Sequence, residues 1–575
     1  MAAGQGVVRN GPAGDPAFTA FAIAIAVIVG LTLIVGLLSP PNNIDSLRYH
    51  LPRIEQWIQQ GSFVNFPTSD TRQLSSNPLA EMLILHFRLL AESDRFDNLV
   101  QGLSFAGCIT IAAVIARRLG APRIGQILAA LLVATLPMAI LEGSSTQNDL
   151  VVSFFVLAAA ERLLAWRASG RVSDGLGVGC AVGLAILTKG TAFIYAAPIG
   201  LGVLAIIIAK RRWKEVGVGA GIVILILVIN AAHFYRNAQV IFAPSGLVDR
   251  TASLDHSPSA IASSLLRNIG SNFVTPSARI NDALVDGIDR IHRVIGMDIN
   301  DPDTTLAHTR FADLPRNVVG GDSAPNPLHV LLVFLAVAML GLTLVRGAGR
   351  STLPAAVWPY FAMVIAGGVL FCALLRWQPW ITRLQLTFFI LAAPALATIM
   401  VARFGRSWLL ATGTCLIVAA VPFVIANQER PLYGNPVRMF ANHFAPNIAS
   451  ASPWQILSWD NPKRYYAIRD AVDAIGDRAS AGVGLLVDGN EYVFWRMLKG
   501  ERFRRPVHIE LACLPADHVN LYRPSTFRPA FLLTDQRQPP VLECASGVFD
   551  RQASFPTGDS PPNAHISVYR RRLSE

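Results

Sequence analysis

The sequence predicts an α-helical polytopic membrane protein with about eleven transmembrane helices and a small C-terminal extracytoplasmic α/β domain. Three observations carry this. Of 575 residues, 52% are hydrophobic and 15% charged, where a soluble globular chain carries about 25% charged residues. Mean hydropathy is +0.43. Apolar runs near the roughly 20 residues needed to cross a bilayer recur from Ala17 to about residue 426, and charged residues return after them. A soluble enzyme, a disordered chain and a disulfide-rich secreted domain are excluded. The net charge of +11 suits basic cytoplasmic loops, and no nucleic-acid partner is expected.

The first run, Ala17–Leu38, is uncharged and ends in Ser39-Pro40-Pro41. It exceeds the 7–15 apolar residues of a cleavable signal and reads as a retained span. Further spans are expected near 97–116, 124–141, 149–166, 175–188, 192–209, 215–234, 328–345, 354–375, 383–402 and 407–426. The stretch 175–209 would be roughly 52 Å long as one helix, so two helices with a turn at Lys189-Gly190 are expected. The basic loops holding Arg117, Arg167, Arg212, Arg350 and Arg403 then fall on one side, the cytoplasmic side by the positive-inside rule. The localisation expected is the inner cell membrane, multi-pass, with a cytoplasmic N-terminus and a periplasmic C-terminal domain.

Residues 1–427 read as the transmembrane domain, with outer loops 39–96 and 235–327, then a linker over 428–461 and the α/β domain over 462–575. Leu79–Leu90 is apolar but short and carries Glu81, His86 and Arg88; it reads as a helix at the outer membrane surface. Asp298–Asp303 is an acidic turn by default, since the glycine and closing glutamate of a calcium loop are absent. Val483–Val487 and Ala530–Leu533 read as buried strands, and Tyr465–Ile475 and Glu491–Leu498 as helices. There is no P-loop and no H-E-x-x-H motif.

Ionisable groups at membrane depth are costly, which makes them functional candidates. Here they gather at the outer ends of spans. Asp45 opens the run Asp45-Ser-Leu-Arg48-Tyr49-His50-Leu-Pro-Arg53, just after span one. Asn148-Asp149 opens span four, where Asp149 reads equally as a helix cap. Lys189 sits on the side where positive charge is disfavoured, although a snorkelling lysine is the plain alternative. His233 and Arg236 end span seven, and Arg376 and Arg383 bracket the turn between spans nine and ten.

The Asp45–Arg53 run, Asn148-Asp149 at a helix start and Leu187-Thr-Lys189-Gly190-Thr together resemble the GT-C glycosyltransferases. The branch is that of protein O-mannosyltransferases, lipid A aminoarabinose transferase and the RgtA/B/C/D-like bacterial enzymes. The resemblance implies a GT-C fold and transfer of a sugar, with inversion, from a polyprenyl-phosphate donor to an extracytoplasmic glycan, lipid or protein. It implies Asp45 as general base and Asp149 as the second acid. Lys189, Arg236 and Arg383 would hold the donor phosphate. Arg48, Tyr49, His50, Arg53, Glu81, His86 and Asn148 would contact substrate. Some relatives use a divalent metal and others none; Asp45, Asp149 and a histidine compose the candidate site for one.

A transporter or lipid flippase is the alternative, but no internal repeat or interrupted midplane helix is visible. Cys108, Cys180, Cys372 and Cys415 fall in predicted spans, which leaves Cys513 and Cys544 as the pair an oxidising compartment would join.

Overall fold

The computed structural model describes residues 16–572, apart from 212, 241–250, 315–317, 347–352, 434–446, 460, 501–504, 515–526 and 559–564. Arg212 and Arg350 of the expected basic loops lie outside the described residues. The chain is mainly helical, and its helices follow the apolar runs. They are α1 Pro16–Leu38, α2 Leu51–Gln60, α3 Arg72–Ser75, α4 Leu79–Ala91, α5 Leu99–Arg118, α6 Arg123–Ala134 and α7 Pro137–Glu142. Next come α8 Asp149–Ser169, α9 Val172–Thr188, α10 Ala192–Lys210, α11 Trp213–Val240, α12 Pro258–Gly270, α13 Ala278–Ile295 and α14 Pro327–Arg346. Then follow α15 Val357–Leu374, α16 Ile381–Leu384, α17 Leu386–Arg403 and α18 Arg406–Ile425. The C-terminal part holds α19 Pro453–Leu457, α20 Pro462–Ile475, α21 Glu491–Lys499 and six strands.

Among the described residues, eight helices are long and apolar enough to cross a membrane: α1, α5 with its lead-in from Asp94, α10, α11, α14, α15, α17 and α18. The other three expected spans differ in kind. Thr135, Leu136 and Pro137 break 124–141 into α6 and α7, because proline at a helix start cannot continue the preceding turn. Helix α8 carries Asp149, Glu161, Arg162 and Arg167, and α9 has only 17 residues. The expected turn between spans five and six is present: α9 ends at Thr188 and α10 starts at Ala192.

Small residues let these helices approach closely. Gly175, Gly179 and Gly183 repeat every four residues along α9 and meet α11; a Cβ on Gly179 would stand 2.8 Å from the Ile222 Cα. Close backbone approach of this kind drives association where lipid removes the hydrophobic gain.

The strands are β1 Val483–Leu486, β2 Ile509–Leu511, β3 Phe531–Thr534, β4 Val541–Cys544, β5 Gly547–Pro556 and β6 His565–Arg571. They form one sheet in the order β2-β1-β3-β6-β5-β4. β1 runs parallel to β2 and β3, and the remaining pairs are antiparallel. One face, with Leu485, Leu533 and Val568, packs on α20 and α21 and on the first outer loop through Leu51, Ile54 and Trp57. The other face buries Leu486, Leu532, Phe549 and Tyr569 beneath Cys513 and Cys544. Those two cysteines are bonded, with Cα atoms 5.3 Å apart.

A buried ionic network fixes the sheet domain to the first outer loop. Arg88 pairs with Glu55 and Asp97 and donates to the Tyr492 hydroxyl at 2.9 Å. The Tyr492 hydroxyl in turn donates to Asp94 at 3.0 Å, and the Arg496 Nε also stands 3.0 Å from Asp94. The acidic turn is also internally satisfied: Asp298 Oδ1 accepts from the Asn300 N–H, and Asp301 Oδ1 from those of Asp303 and Thr304.

Candidate active site

Asp45 stands at the start of a short helical segment, Ser46–His50, that leads into α2, and there Asn43 Oδ1 accepts the Ser46 N–H at 2.7 Å. Its carboxylate lies between two guanidinium groups. Arg383 Nη2 is 3.0 Å from Oδ2, and Arg72 Nη1 is 3.4 Å from Oδ1. Burial pushes the Asp45 pKa up, but the charges of Arg383, His50, Arg72 and Lys189 outweigh it and hold the group below the ordinary carboxylate value.

Arg383 is the hub. Its Nη1 lies 2.5 Å from Asp322 Oδ1, and its Nε 3.8 Å from Asp149 Oδ2. Asp149, at the first turn of α8, also binds Lys189 Nζ at 2.6 Å. Gln147 Nε2 donates to Asp322 at 3.0 Å. Lys189 is delivered by the short α9–α10 turn, and Arg383 by α16, the single turn ahead of α17.

These groups line a cavity of about 950 Å³ together with Arg48, Tyr49, Arg72, Gln378, Trp380, Asp488 and Glu491. The Arg72 guanidinium lies over the Tyr49 ring, 4.3 Å from its centroid. A separate groove of about 790 Å³ between α8, α10 and α15, lined by Leu163, Pro198 and Tyr360, contains no acidic side chain.

Of the expected site residues, the cavity collects Asp45, Arg48, Tyr49, Lys189 and Arg383, with Asp149 buried behind Lys189. Six others stand outside the lining of that cavity. His50, Arg53 and Glu81 form a buried cluster: His50 Nδ1 is 2.9 Å from Glu81 Oε1, and Arg53 donates to the Ser76 carbonyl at 2.8 Å. Burial would raise the Glu81 pKa, but the adjoining His50 and Arg53 bring it below the usual value. His86 is exposed and bonds the Met82 carbonyl of its own helix at 2.7 Å. Asn148 ties α8 to the end of α9 through the Thr188 carbonyl at 3.3 Å. Arg236 donates to Asn65 at 2.8 Å.

Sequence reasoning missed Arg72, Asp322, Asp488 and Glu491. Asp322 follows Gly320-Gly321 in a loop with no hydropathy contrast to flag it. The last two lie more than 400 residues along the chain from Arg48 and Gln73, the residues they meet.

Among the described residues, no group of three or more His, Cys, Asp or Glu side chains is arranged to hold a metal ion. Each candidate carboxylate is already faced by a cation, Asp45 by Arg383 and Asp149 by Lys189. The donor set does not fit a divalent metal without displacing those cations. What it offers instead is an ionised carboxylate beside guanidinium and ammonium groups, in a cavity open to a polar reactant.

Residues 78–235 match the family model described as dolichyl-phosphate-mannose-protein mannosyltransferase. That segment includes Asp149 and Lys189 but begins after Asp45. Among solved structures, ArnT from Cupriavidus metallidurans bound to undecaprenyl phosphate is similar over 95% of this chain and 97% of that chain, at 14% identity and TM-score 0.43. The Archaeoglobus fulgidus oligosaccharyltransferase in the apo form is similar over 85% of this chain and 64% of that chain, at 13% identity and TM-score 0.44. No curated protein matches the sequence. The matched segment supplies α8, α9 and the turn between α9 and α10, and with them Asp149 and Lys189.

Proposed function

We propose that the protein is a membrane glycosyltransferase that moves a sugar from a polyprenyl-phosphate donor to an acceptor hydroxyl outside the cytoplasm, inverting the anomeric centre. The observation that carries this reading is the placement of Asp45 and Lys189 in one cavity, joined through Arg383 and Asp149.

In this reading the polyprenyl tail stays in the bilayer and presents its phosphate to the cavity. Lys189 spends one of its three N–H donors on Asp149, and the others are free to meet phosphate oxygens. Charge-assisted contacts of this kind are the stronger class. Arg72, partly exposed on the cavity wall, adds donors. As the glycosidic bond breaks, negative charge grows on the phosphate, and these cations stabilise it. The acceptor hydroxyl attacks the anomeric carbon directly while Asp45 takes its proton. Asp45 is held ionised, and its longer contact, 3.4 Å to Arg72, leaves Oδ1 the less engaged oxygen. No covalent intermediate forms, and no step passes through a metal.

The test is turnover of labelled polyprenyl-phosphate sugars, hexosyl and pentosyl, by membranes carrying the full chain. Release of polyprenyl phosphate, dependent on the chain, supports the reading. No release with any donor overturns it.

A further inference from the structure

The sheet domain has its own crevice, and it opens onto the cavity. Strands β2-β1-β3 are parallel, with β1 in the middle. The connection after β1 leads to one side and β3 lies on the other, so the chain reverses direction at the β1/β3 boundary. Open parallel sheets bind ligands outside the carboxyl ends of strands at such a switch point. Here that point is Val487-Asp488-Gly489 after β1, beside Asp535 after β3. Asp488, Gly489 and Glu491 line the same cavity as Asp45 and Lys189.

The turn is held rigidly from outside itself. The Asp488 N–H donates to Asp535 Oδ1 at 3.0 Å, and the Val487 carbonyl accepts from Ser69 Oγ at 3.2 Å. Glu491 accepts from Gln73 Nε2 at 2.8 Å and from Trp495 Nε1 at 2.9 Å. Gly489 has φ +96°, and a Cβ there would stand 3.1 Å from Arg48 Nε. The Arg48 Nε is buried and has no hydrogen-bond partner, while its Nη2 makes only a 3.4 Å contact to Asp488. The Asp488 carboxylate is 69% exposed.

We propose that the turn Asp488–Glu491, with Arg48, is an acceptor subsite that binds the hydroxyls of a carbohydrate. The proposal rests on the transferase reading above and names its acceptor class. A carboxylate only accepts hydrogen bonds and a guanidinium only donates them. Set side by side, they match neighbouring sugar hydroxyls, each of which does both. Trp380 lines the same cavity and brings an apolar ring system to it. A serine or threonine acceptor brings one hydroxyl and would leave most of these groups unpaired.

Two measurements on the full chain in detergent separate the possibilities. The probes are p-nitrophenyl glycosides of common hexoses and pentoses, with a serine/threonine-rich peptide in parallel. Binding is read by saturation-transfer NMR without donor, and transfer by acceptor KM with donor. At least one glycoside should bind, and Asp488→Ala should raise its Kd and its acceptor KM at least tenfold while the donor KM moves less than twofold. Asp488→Asn should fall between, since one acceptor oxygen survives. Unaltered glycoside binding and KM in Asp488→Ala, no glycoside binding at all, or transfer to the peptide alone overturns the proposal. Glycoside binding lost in Asp488→Ala without donor turnover in the parent chain leaves a carbohydrate subsite standing and overturns the transferase reading instead. A fall in the melting midpoint of Asp488→Ala would mark its effect as structural, and Asp488→Asn then decides.

Discussion

Arg383 reaches Asp45 across 338 residues of sequence, with Nη2 3.0 Å from Oδ2. The same guanidinium holds Asp322 and approaches Asp149, so three carboxylates from three chain segments share one cation. Arginine suits the post because its planar fork presents several donors at fixed angles, which a lysine cannot. The consequence is that Asp45 stays charged in a partly buried position and is held by a residue of α16.

Asp45→Asn keeps the shape of that contact and removes the proton acceptor. Transfer should fall at least about 100-fold, the low end for general-base catalysis. Donor binding, read as retention of a labelled polyprenyl-phosphate sugar, should change far less. Near-normal turnover in the variant would make Asp45 a structural partner of Arg383.

Lys189→Ala should weaken donor binding, since a charge-assisted contact to phosphate disappears. It also strips Asp149 of its 2.6 Å partner, so thermal stability should drop. The double variant Lys189→Ala with Asp149→Asn should regain most of that stability without regaining donor affinity. If the double variant also recovers donor binding, Lys189 served only to balance Asp149.

These two residues were legible in the sequence because each is a charge set against an apolar run. Asp322 offered no such contrast, and Asp488 comes near Arg48 only through a domain interface. That His50, Arg53 and Glu81 stand outside the cavity lining was hidden for a different reason. His50 and Arg53 lie three residues apart, so both fall on one helical face. A polar face looks the same in sequence whether it lines a cavity or meets a buried glutamate. The strands divide likewise. β1 and β3 are short apolar runs and were readable, whereas β5, GVFDRQASFP, places Asp550, Arg551 and Gln552 in succession and shows no alternation. Its regularity comes from pairing with β6, with a register shift between Arg551 and Ala553.

Gly179→Ala should destabilise the helix bundle, because its Cβ would lie 2.8 Å from Ile222 Cα and 3.0 Å from the Ile222 carbonyl oxygen. Overpacking of this kind costs about 1–3 kcal/mol. Gly200→Ala is the control: nothing lies within 4 Å of its added methyl group. A melting midpoint lowered only in the first variant checks the α9–α11 contact. Equal midpoints would show that the two helices part to admit the methyl.

Glu491 gives stability a pH dependence. Burial is the main cause that lifts its pKa to about 7 from the ordinary 4.5, against the hydrogen bonds from Trp495 and Gln73. The folded state therefore binds this proton more tightly than the unfolded chain. The associated stabilisation is fully present below about pH 4.5 and is lost as pH rises through about 7. Glu491→Gln stays neutral, so relative to the parent it should gain roughly 1–3 kcal/mol between pH 5 and pH 8. Glu429, also raised by burial to about 7, keeps some slope in both proteins. Parallel curves for parent and variant would show that Glu491 is ionised at no cost.

The bond between Cys513 and Cys544 ties the segment after β2 to the end of β4, strands at opposite edges of the sheet order. Both cysteines pack against the face built from Leu486, Leu532, Phe549 and Tyr569. The bridge spans 31 residues of a domain with a small core. By chain-entropy arithmetic such a loop adds about 3–4 kcal/mol. A non-reduced digest should therefore yield one linked peptide pair and no free thiol at either position. Cys513→Ser with Cys544→Ser should lower the melting midpoint of the sheet domain, and reduction of the parent chain should do the same. Because Leu486 lies in that core one residue before Val487 and the Asp488 turn, the loss should also raise acceptor KM more than donor KM. A bond of this kind persists in an oxidising compartment, as expected for a domain outside the cytoplasm. A thiol reagent confined to the cytoplasm should label neither cysteine, and labelling of either one would reverse the expected orientation of the chain.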